Sequence, residues 1–519
     1  MPQQRVAFLS VSDKSGLEPM ARALVERYGY TLLATGGTRT FLMEASLAVR
    51  DLSDITGFVD LLDGRVKSLH PVIFAGILAD RSVPKHMEQV EFLIDTVVVN
   101  LYPFDRAVAE GYDKPEAEMR SLIDIGGSSL IRAAAKNYPS VNVLSNPEQY
   151  DAFLAQMAEG QGDTSESFRK KLALEAFRHS VAYDSAIAGY LAHTLEGAEA
   201  DPLPESFSLG FTKIEAMRYG ENPHQLAALY GVNGAKPDYE VLHGKKISYN
   251  NIVDMQAAWN IVTEFADTAA CAIIKHNNPC GVAISARSAE DAYQTAFNAD
   301  PLSAFGGIVG FNRPVDAATA AHLKEVFLEL IVAPEFTPEA LDILQSKKNL
   351  RLVRRPLYEG PAAPQVELKQ VTSELFLLQR VDEEKISQPL TESLNVVSEK
   401  KPTPEQLADM EFAWKVAKHV KSNAIVVAKD GRTLGIGGGQ TSRIAAMEQA
   451  LARACDETKD AVVASDGFFP AVDNIHAAAQ SRIGAIVQPG GSIKDADVLA
   501  EANRYGIAMA TTGIREFKH

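Results

Sequence analysis

Short apolar runs, each closed by a polar or glycine-bearing loop, recur along the chain and set its plan. RVAFLSV at 5–11 is one and TLLAT at 31–35 another. SDKSG leads from the first into a helical stretch from about Leu17 to Tyr28, and Gly36-Gly37-Thr38 opens a second helix after the next run. Strand, polar loop and helix, repeated, predict a doubly wound parallel sheet. IDTVVVNLYPF adds a buried strand ending in Asn100, Tyr102 and Pro103. IDIGGSSLIRAAAKN then runs from Asp124 through Gly126-Gly127 into a helix, with Ser128 and Ser129 in its first turn. Arg132 and Lys136, four apart, share a face of that helix. Helical periodicity holds from about Thr164 to Leu195. The acidic, proline-bearing stretch 196–211 has little periodicity, so the main domain boundary is expected there, dividing 1–199 from 200–519.

Beyond that boundary the pattern repeats. The two tryptophans sit in DMQAAW (254–259) and DMEFAW (409–414), 155 residues apart, and each segment opens an amphipathic helix that leads into an apolar strand. In the first copy, apolar runs at Ala269–Ile274 and Gly281–Ile284 flank Lys275-His276-Asn277-Asn278-Pro279-Cys280. That insert reads as longer and more polar than a hairpin needs. At the same offset Lys275-His276 fall opposite Asp430-Gly431, whose KDGR connection is a plain tight hairpin. An amine beside an imidazole, with an apolar wall to desolvate the Lys275 amine, is the make-up of a general acid–base site. Alone, the pair would read as a solvated loop. The plain second copy shifts the reading toward function, because chemistry is more often grafted onto a loop than onto a scaffold. Two units are expected, at about 200–360 and 361–519. The loosely patterned stretch 356–404 connects them and has room for a hairpin of its own.

Candidate chemistry lies where these strands end. Ser10, Ser12, Lys14 and the Thr35–Thr38 loop fall at the carboxyl ends of adjacent strands, where hydroxyls, an ammonium and backbone N–H groups make a phosphate cradle. DGRVKSLHP reads as an extended segment with Arg65 and Lys67 on one side. AMRYGENPHQ and KKISYNNIVD offer Arg218, Asn222, His224 and Asn251, which composition alone does not separate from ordinary loop residues. GRTLGIGGGQTSR sets Gly435, Gly437, Gly438 and Gly439 before a helix from Ser442. An anion site and close backbone packing both stay open there.

Composition narrows the classes. A chain of 519 residues is too long for one core. Its net charge of −16 disfavours nucleic acid as the main partner. No apolar run approaches the roughly 18 residues of a membrane helix, and the apolar part of the N-terminus is too short for a signal peptide. Three cysteines without CxxC favour neither a disulfide framework nor a zinc ribbon and fit a reducing cytoplasm.

SVSDKSG, ATGGT, DGRVKSLHP, NLYPF, DIGG with RAAAKN, RYGENPHQ, KHNNPCG, SAFGG, SNAIVVAKDG, GIGGGQTSR, SDGFFP and QPGGSI stand in this order. With them the chain resembles, over almost its whole length, the bifunctional AICAR transformylase/IMP cyclohydrolase family in its shorter bacterial form. The resemblance implies a methylglyoxal-synthase-like α/β domain followed by two tandem cytidine-deaminase-like α/β units. It implies formyl transfer from 10-formyltetrahydrofolate to AICAR in the second domain, and closure of formyl-AICAR to inosine monophosphate in the first. It also implies a homodimer with transformylase sites at the subunit interface, and no metal. Lys275 and His276 match the family's catalytic pair, and Asn423 a positioning amide. Arg218, Tyr219, Asn251, Phe305, Gly306 and Arg515 match nucleotide-binding positions. Asp473 and Asn474 lie in a folate-binding loop, and Glu329 stands at a folate position where vertebrate members carry Asp. Lys67, Tyr102, Asp124 and Lys136 match the cyclohydrolase site, with an Asp–Lys pair to shuttle protons. Ser10, Ser12, Lys14, Thr35, Gly36, Gly37, Thr38, Arg65, Ser68, Asn100, Gly126 and Gly127 match its phosphate and ribose contacts, Ser68 where Thr is commoner.

Two rivals are weaker. A zinc deaminase needs P-C-x-x-C, and after Pro279-Cys280 the second cysteine position holds Ala283. A non-catalytic nucleotide or folate sensor on the same fold would have no use for both the Lys275–His276 and the Lys67–Asp124–Lys136 sets.

Overall fold

The computed structural model describes residues 5–57, 66–109, 114–196, 203, 205–206, 208–232, 235–357, 366–382 and 394–519. The chain divides into two compact units, 1–211 and 212–519.

The first unit is built on five parallel strands: β1 (Val6–Val11), β2 (Thr31–Ala34), β3 (Val49–Asp51), β4 (Thr96–Asn100) and β5 (Asn142–Leu144), in the order β3-β2-β1-β4-β5. The order reverses beside β1, so the carboxyl ends of β1 and β4 open a crevice between them. β4 is buried throughout because helices cover both faces of the sheet, which is why TVVVN carries no polar alternation. The helices Leu17–Tyr28 and Gly36–Glu44 fall where the pattern placed them. The helix Gly126–Lys136 packs on the long helix Glu166–Glu196. DGRVKSLHP departs from expectation. Residues 66–68 form a turn, closed by Leu69 N–H donating to Val66 O at 3.1 Å, and lead into the helix Pro71–Leu78. The extended reading therefore fails at Lys67, and Arg65 lies outside the described residues.

In the second unit β6 (Phe211–Ala216) and β7 (Ala228–Val232) pair as a separate ribbon. β8 (Glu240–His243), β9 (Ala269–Lys275), β10 (Asn278–Ser285), β11 (Ile308–Phe311), β12 (Leu330–Ala333) and β13 (Arg351–Arg354) belong to the first repeat. β14 (Val366–Gln370) and β15 (Phe376–Arg380) form a hairpin in the connection. The second repeat supplies β16 (Asn395–Val396), β17 (Ile425–Lys429), β18 (Arg432–Gly437), β19 (Val462–Ser465), β20 (Ala485–Gln488) and β21 (Ala508–Thr511). Among the described residues the repeats share one twelve-stranded sheet, β16-β21-β20-β19-β17-β18-β10-β9-β11-β12-β13-β8. Each half has the same internal order, related by a pseudo-twofold at the β10–β18 seam. There Ile284 N–H donates to Gly431 O at 2.9 Å, and Val282 N–H to Thr433 Oγ1 at 3.0 Å.

Strand alternation divides the core. Ala272, Ile274, Val426 and Ala428 face one side, where the helices Tyr249–Val262 and Pro404–Ala417 bring both tryptophans into a single core shared by the repeats. The rings of Phe265 and Phe412 meet there at 5.5 Å. Ile273 and Val427 face the other side, in a separate core for each repeat. The repeats are thus one folded body. Gly435 and Gly437 allow close packing, since a Cβ at either would lie 2.0 Å from a carbonyl of the helix Arg443–Ala454. No described helix is long and apolar enough to cross a membrane.

Candidate active sites

The first site gathers at the carboxyl ends of β1, β2 and β4. Asn100 Oδ1 accepts from Ser12 N–H at 2.6 Å, Ser12 Oγ at 2.9 Å and Asp13 N–H at 2.9 Å, which locks the loop after β1 onto β4. Thr38 Oγ1 accepts from Val11 N–H and donates to Val11 O, tying the Gly36-Gly37 helix start to β1. Ser10 and Thr35 hydroxyls lie 3.2 Å apart, and Lys14 Nζ sits over Gly37. At the start of the helix Gly126–Lys136, Asp124 Oδ1 accepts from Gly127 N–H at 2.7 Å, while its own N–H donates to Tyr183 OH at 2.8 Å. A side chain at Gly126 would strike Ser68 Oγ. Burial raises the Asp124 carboxyl above its ordinary range, with the Gly127 N–H pulling the other way. Lys67 Nζ lies 3.5 Å from Asp51 Oδ1, and Arg39 holds the other Asp51 oxygen at 3.4 Å. Tyr102 is half exposed.

Lys136 is the exception. It ends the helix Gly126–Lys136, whose eleven residues at 1.5 Å rise span about 16 Å, while Asp124 lies just before the other end. One protomer does not bring Asp124 and Lys136 together. Lys136 instead borders a cavity of about 630 Å³ with Phe74, Leu78, Arg132, Leu174 and Phe177.

The second site centres on the β9–β10 turn. It is no elaborated loop. Lys275 pairs with Asn278, and His276 and Asn277 alone turn the chain with φ of 52° and 60°. These two left-handed residues make the twisted two-residue connection that suits adjacent strands. The second repeat turns identically on Asp430 (φ 54°) and Gly431 (φ 69°) between Lys429 and Arg432. His276 therefore matches Asp430, and Lys275 matches Lys429. The first copy carries one more residue between tryptophan and turn, which shifts the sequence register by one. The Lys275 ammonium donates to Phe305 O at 3.2 Å and Gly306 O at 3.1 Å. Lys429 likewise donates to Lys459 O at 3.0 Å. His276 is exposed.

Across the seam Asn278 Oδ1 accepts from Lys421 N–H at 3.4 Å, which places the turn beside Asn423. Both ends of the Asn423 amide are engaged: Nδ2 donates to Gln440 O at 2.9 Å and Oδ1 accepts from Arg443 at 2.8 Å. Arg443 is itself buried against Asp466 and Ser465. GIGGGQTSR thus supplies Gln440 and Arg443 as the clamp on Asn423, a role that reading the motif for its glycines misses. Asp254 was also missed beside the site, as was its structural counterpart Asp409 in the second repeat. They lie at the same place in the two tryptophan helices, and each accepts backbone N–H groups of the turn in its own repeat. Their signal was in the sequence, as the repeated D of DMxxAW.

The remaining candidates are more dispersed. Arg218 and Tyr219 stack, guanidinium to ring, at 5.6 Å in the loop between β6 and β7, which Asn250 fastens through Glu221 O. Asn251 is buried and caps its own helix with Ser248. Phe305 is exposed beside Phe327. Glu329 pairs with Arg351 at 2.8 Å. Asp473 Oδ1 accepts from the Asn474 backbone and side chain, both at 2.8 Å. Arg515 lies over Phe517 at 4.5 Å. Among the described residues no hydrogen bond or ion pair joins Arg218, Tyr219, Glu329, Asp473, Asn474 or Arg515 to the Lys275–His276 turn. No cluster of three or more His, Cys, Asp or Glu is placed among them to hold a metal ion.

A doubly wound unit with a polar crown, followed by a duplicated sheet presenting a Lys-His turn, defines a two-site enzyme. Comparison with known families agrees. Residues 16–128 match the MGS-like domain and residues 134–453 the AICARFT/IMPCHase bienzyme. The "Bifunctional purine biosynthesis protein PurH" of Desulfitobacterium hafniense is 48% identical over 99% of this chain and 100% of its own. The proteins so named from Nostoc sp. and Persephonella marina are each 46% identical, with the same coverage. A solved chain described as "Crystal structure of ForH" is 35% identical, covering 36% of this chain and 98% of its own at a TM-score of 0.32. The chain belongs to the PurH family of bifunctional enzymes, AICAR transformylase and IMP cyclohydrolase of purine biosynthesis.

Proposed function

We propose that residues 212–519 carry the formyl transfer and residues 1–211 the ring closure. The exposed His276, held beside Lys275 in a turn that meets the segment of Lys421 and Asn423 across the seam, carries this reading. The AICAR amine is a poor nucleophile, because its lone pair is delocalised into the ring and carboxamide. As it attacks the formyl carbon of 10-formyltetrahydrofolate, His276 takes its proton; the adduct then collapses with cleavage of the bond from the formyl carbon to N10, which takes up a proton and leaves as tetrahydrofolate. The Lys275 ammonium, fixed by two carbonyls, stabilises the developing oxyanion with its remaining N–H. Arg218 and Arg515 meet the phosphate, Phe305, Gly306, Tyr219 and Asn251 frame the nucleotide, and Glu329, Asp473 and Asn474 frame the folate. Neither step calls for a metal.

In ring closure the carboxamide nitrogen attacks the formyl carbon of the same molecule and the resulting hydroxyl leaves as water, so the enzyme folds its substrate and moves protons. Ser10, Ser12, Lys14, the Thr35–Thr38 loop, Arg65, Ser68, Asn100, Gly126 and Gly127 hold the ribose phosphate. Lys67 and Tyr102 stabilise charge. The buried Asp124 carboxyl is suited to hold and return a proton. Lys136, across the roughly 16 Å helix Gly126–Lys136 from Asp124, serves the site of a second protomer. The long helix supports that pairing: Leu174, Phe177, Val181, Leu191 and Leu195 are exposed at heptad spacing, and the first two line the cavity that Lys136 borders. The protein works as a cytoplasmic homodimer, with transformylase sites at the subunit interface too.

A coupled assay supplying AICAR and 10-formyltetrahydrofolate, read as inosine monophosphate, tests the two activities. Lys67→Ala is expected to let formyl-AICAR accumulate, and undiminished inosine monophosphate under limiting ring closure removes Lys67 from the site. Asp124→Asn and Lys136→Ala chains, each inactive in ring closure alone, are expected to regain activity when mixed into heterodimers. Failure to complement places Lys136 outside the neighbour's site.

A further inference from the structure

We propose that Asp254 is a positioning residue for formyl transfer, gripping the backbone of the Lys275–Asn278 turn from the helix Tyr249–Val262 and so fixing where the His276 imidazole points. The proposal rests on the reading of His276 as the base and adds to it the group that aims it. Aspartate is a poor residue for a helix interior, yet it stands at the sixth position of both tryptophan helices. The reason is the turn beneath. In a two-residue hairpin the turn N–H groups lie outside the strand ladder and need another acceptor. Asn277 N–H donates to Asp254 Oδ1 at 2.7 Å. In the second repeat Asp430 N–H donates to Asp409 Oδ2 at 2.9 Å, and Gly431 N–H to Oδ1 at 2.8 Å. Burial raises the Asp254 carboxyl, while Asn277 N–H, His276 and Lys275 favour its charge. Asp254 touches the bond next to His276 and no reacting atom, so its effect passes through the turn.

The second repeat provides a matched control. Its turn lies at the other end of the seam, on the order of 20 Å away by strand rise, and carries no imidazole. Asp254→Ala is expected to lower kcat for formyl transfer by about tenfold to a hundredfold, the scale of a small misplacement, with KM for AICAR within about twofold and ring closure unchanged. Asp409→Ala removes the same backbone grip and is expected to leave formyl transfer at the wild-type rate, with a similar drop in thermal midpoint. Asp254→Asn, which keeps an oxygen acceptor, is expected to recover most of the lost rate. Should Asp254→Ala fail to fold, Asp254→Ser, too short to reach the turn, takes its place. Full kcat in the Ala or Ser variant overturns the proposal. So does an equal loss of rate in Asp409→Ala, which makes both residues mere fold supports. His276→Ala separates the two readings. If it retains formyl transfer, His276 is not the base and the positioning role falls with it. If it is inactive while Asp254→Ala is normal, only the positioning role fails.

Discussion

Lys275-His276-Asn277-Asn278 and Lys429-Asp430-Gly431-Arg432 turn the chain in the same way, on two left-handed residues, over the same aspartate. In both, the lysine before the turn donates to carbonyls of the segment leading to the next strand over, β11 or β19. What differs is the residue at the first turn position, imidazole against carboxylate, and its company: across the seam Asn278 of the first turn meets Lys421, two residues before Asn423. The fold therefore asks for the turn, the aspartate and the lysine in both repeats. It asks for the histidine in neither, which separates the chemistry of His276 from the stability of its setting.

Five substitutions test that separation. His276→Ala has the largest expected effect, a fall in formyl-transfer kcat of about 10²–10⁴-fold with AICAR affinity, ring closure and thermal midpoint near wild type. A variant that loses its cooperative transition instead would make the imidazole part of the scaffold. Next, Lys275→Ala and Lys429→Ala remove equivalent tethers. The first is expected to slow formyl transfer at least about tenfold through the lost oxyanion donor. The second is expected to cost at most about 0.5–1.5 kcal/mol of stability and no activity. Equal activity losses in the two would erase the contrast between the turns. Asn277→Gly copies Gly431 into the first turn. Relief of the left-handed conformation (φ 60°) and the added chain entropy of glycine oppose each other, so the unfolding free energy from denaturant titration should move by under about 1 kcal/mol. Last, Asp430→His copies the imidazole into the second turn. It should create no second site and should not rescue His276→Ala, because the partner residues across the seam are absent there; a gain of formyl transfer would show that the turn alone suffices.

Much of this was legible along the chain. Loops expected to cradle phosphate do sit at the ends of β1, β2 and β4, because in a parallel sheet every strand must end on the same edge. The duplication was legible because a tryptophan helix packed on an apolar strand needs the same residues each time. Its register was not. One extra residue between Trp259 and the turn made Lys275-His276 look like an insertion opposite Asp430-Gly431, whereas backbone pairing sets His276 against Asp430. The glycines of GIGGGQTSR left two readings open, and the nearby carbonyls of the helix Arg443–Ala454 decide for packing at Gly435 and Gly437.

By itself the sequence determined which residue types stand at the strand ends, that the later chain is duplicated, and that its motifs are those of a bifunctional purine enzyme. These are properties of local order, where periodicity and loop chemistry act over a few residues. Tertiary structure alone decided that the repeats share one sheet and one core, that Asp254 and Asp409 hold the turns, and that Asn423 is clamped by Arg443 and Gln440. Each of those depends on distances between segments remote along the chain, and such distances are set only when apolar faces are buried against one another and every buried N–H has found its acceptor.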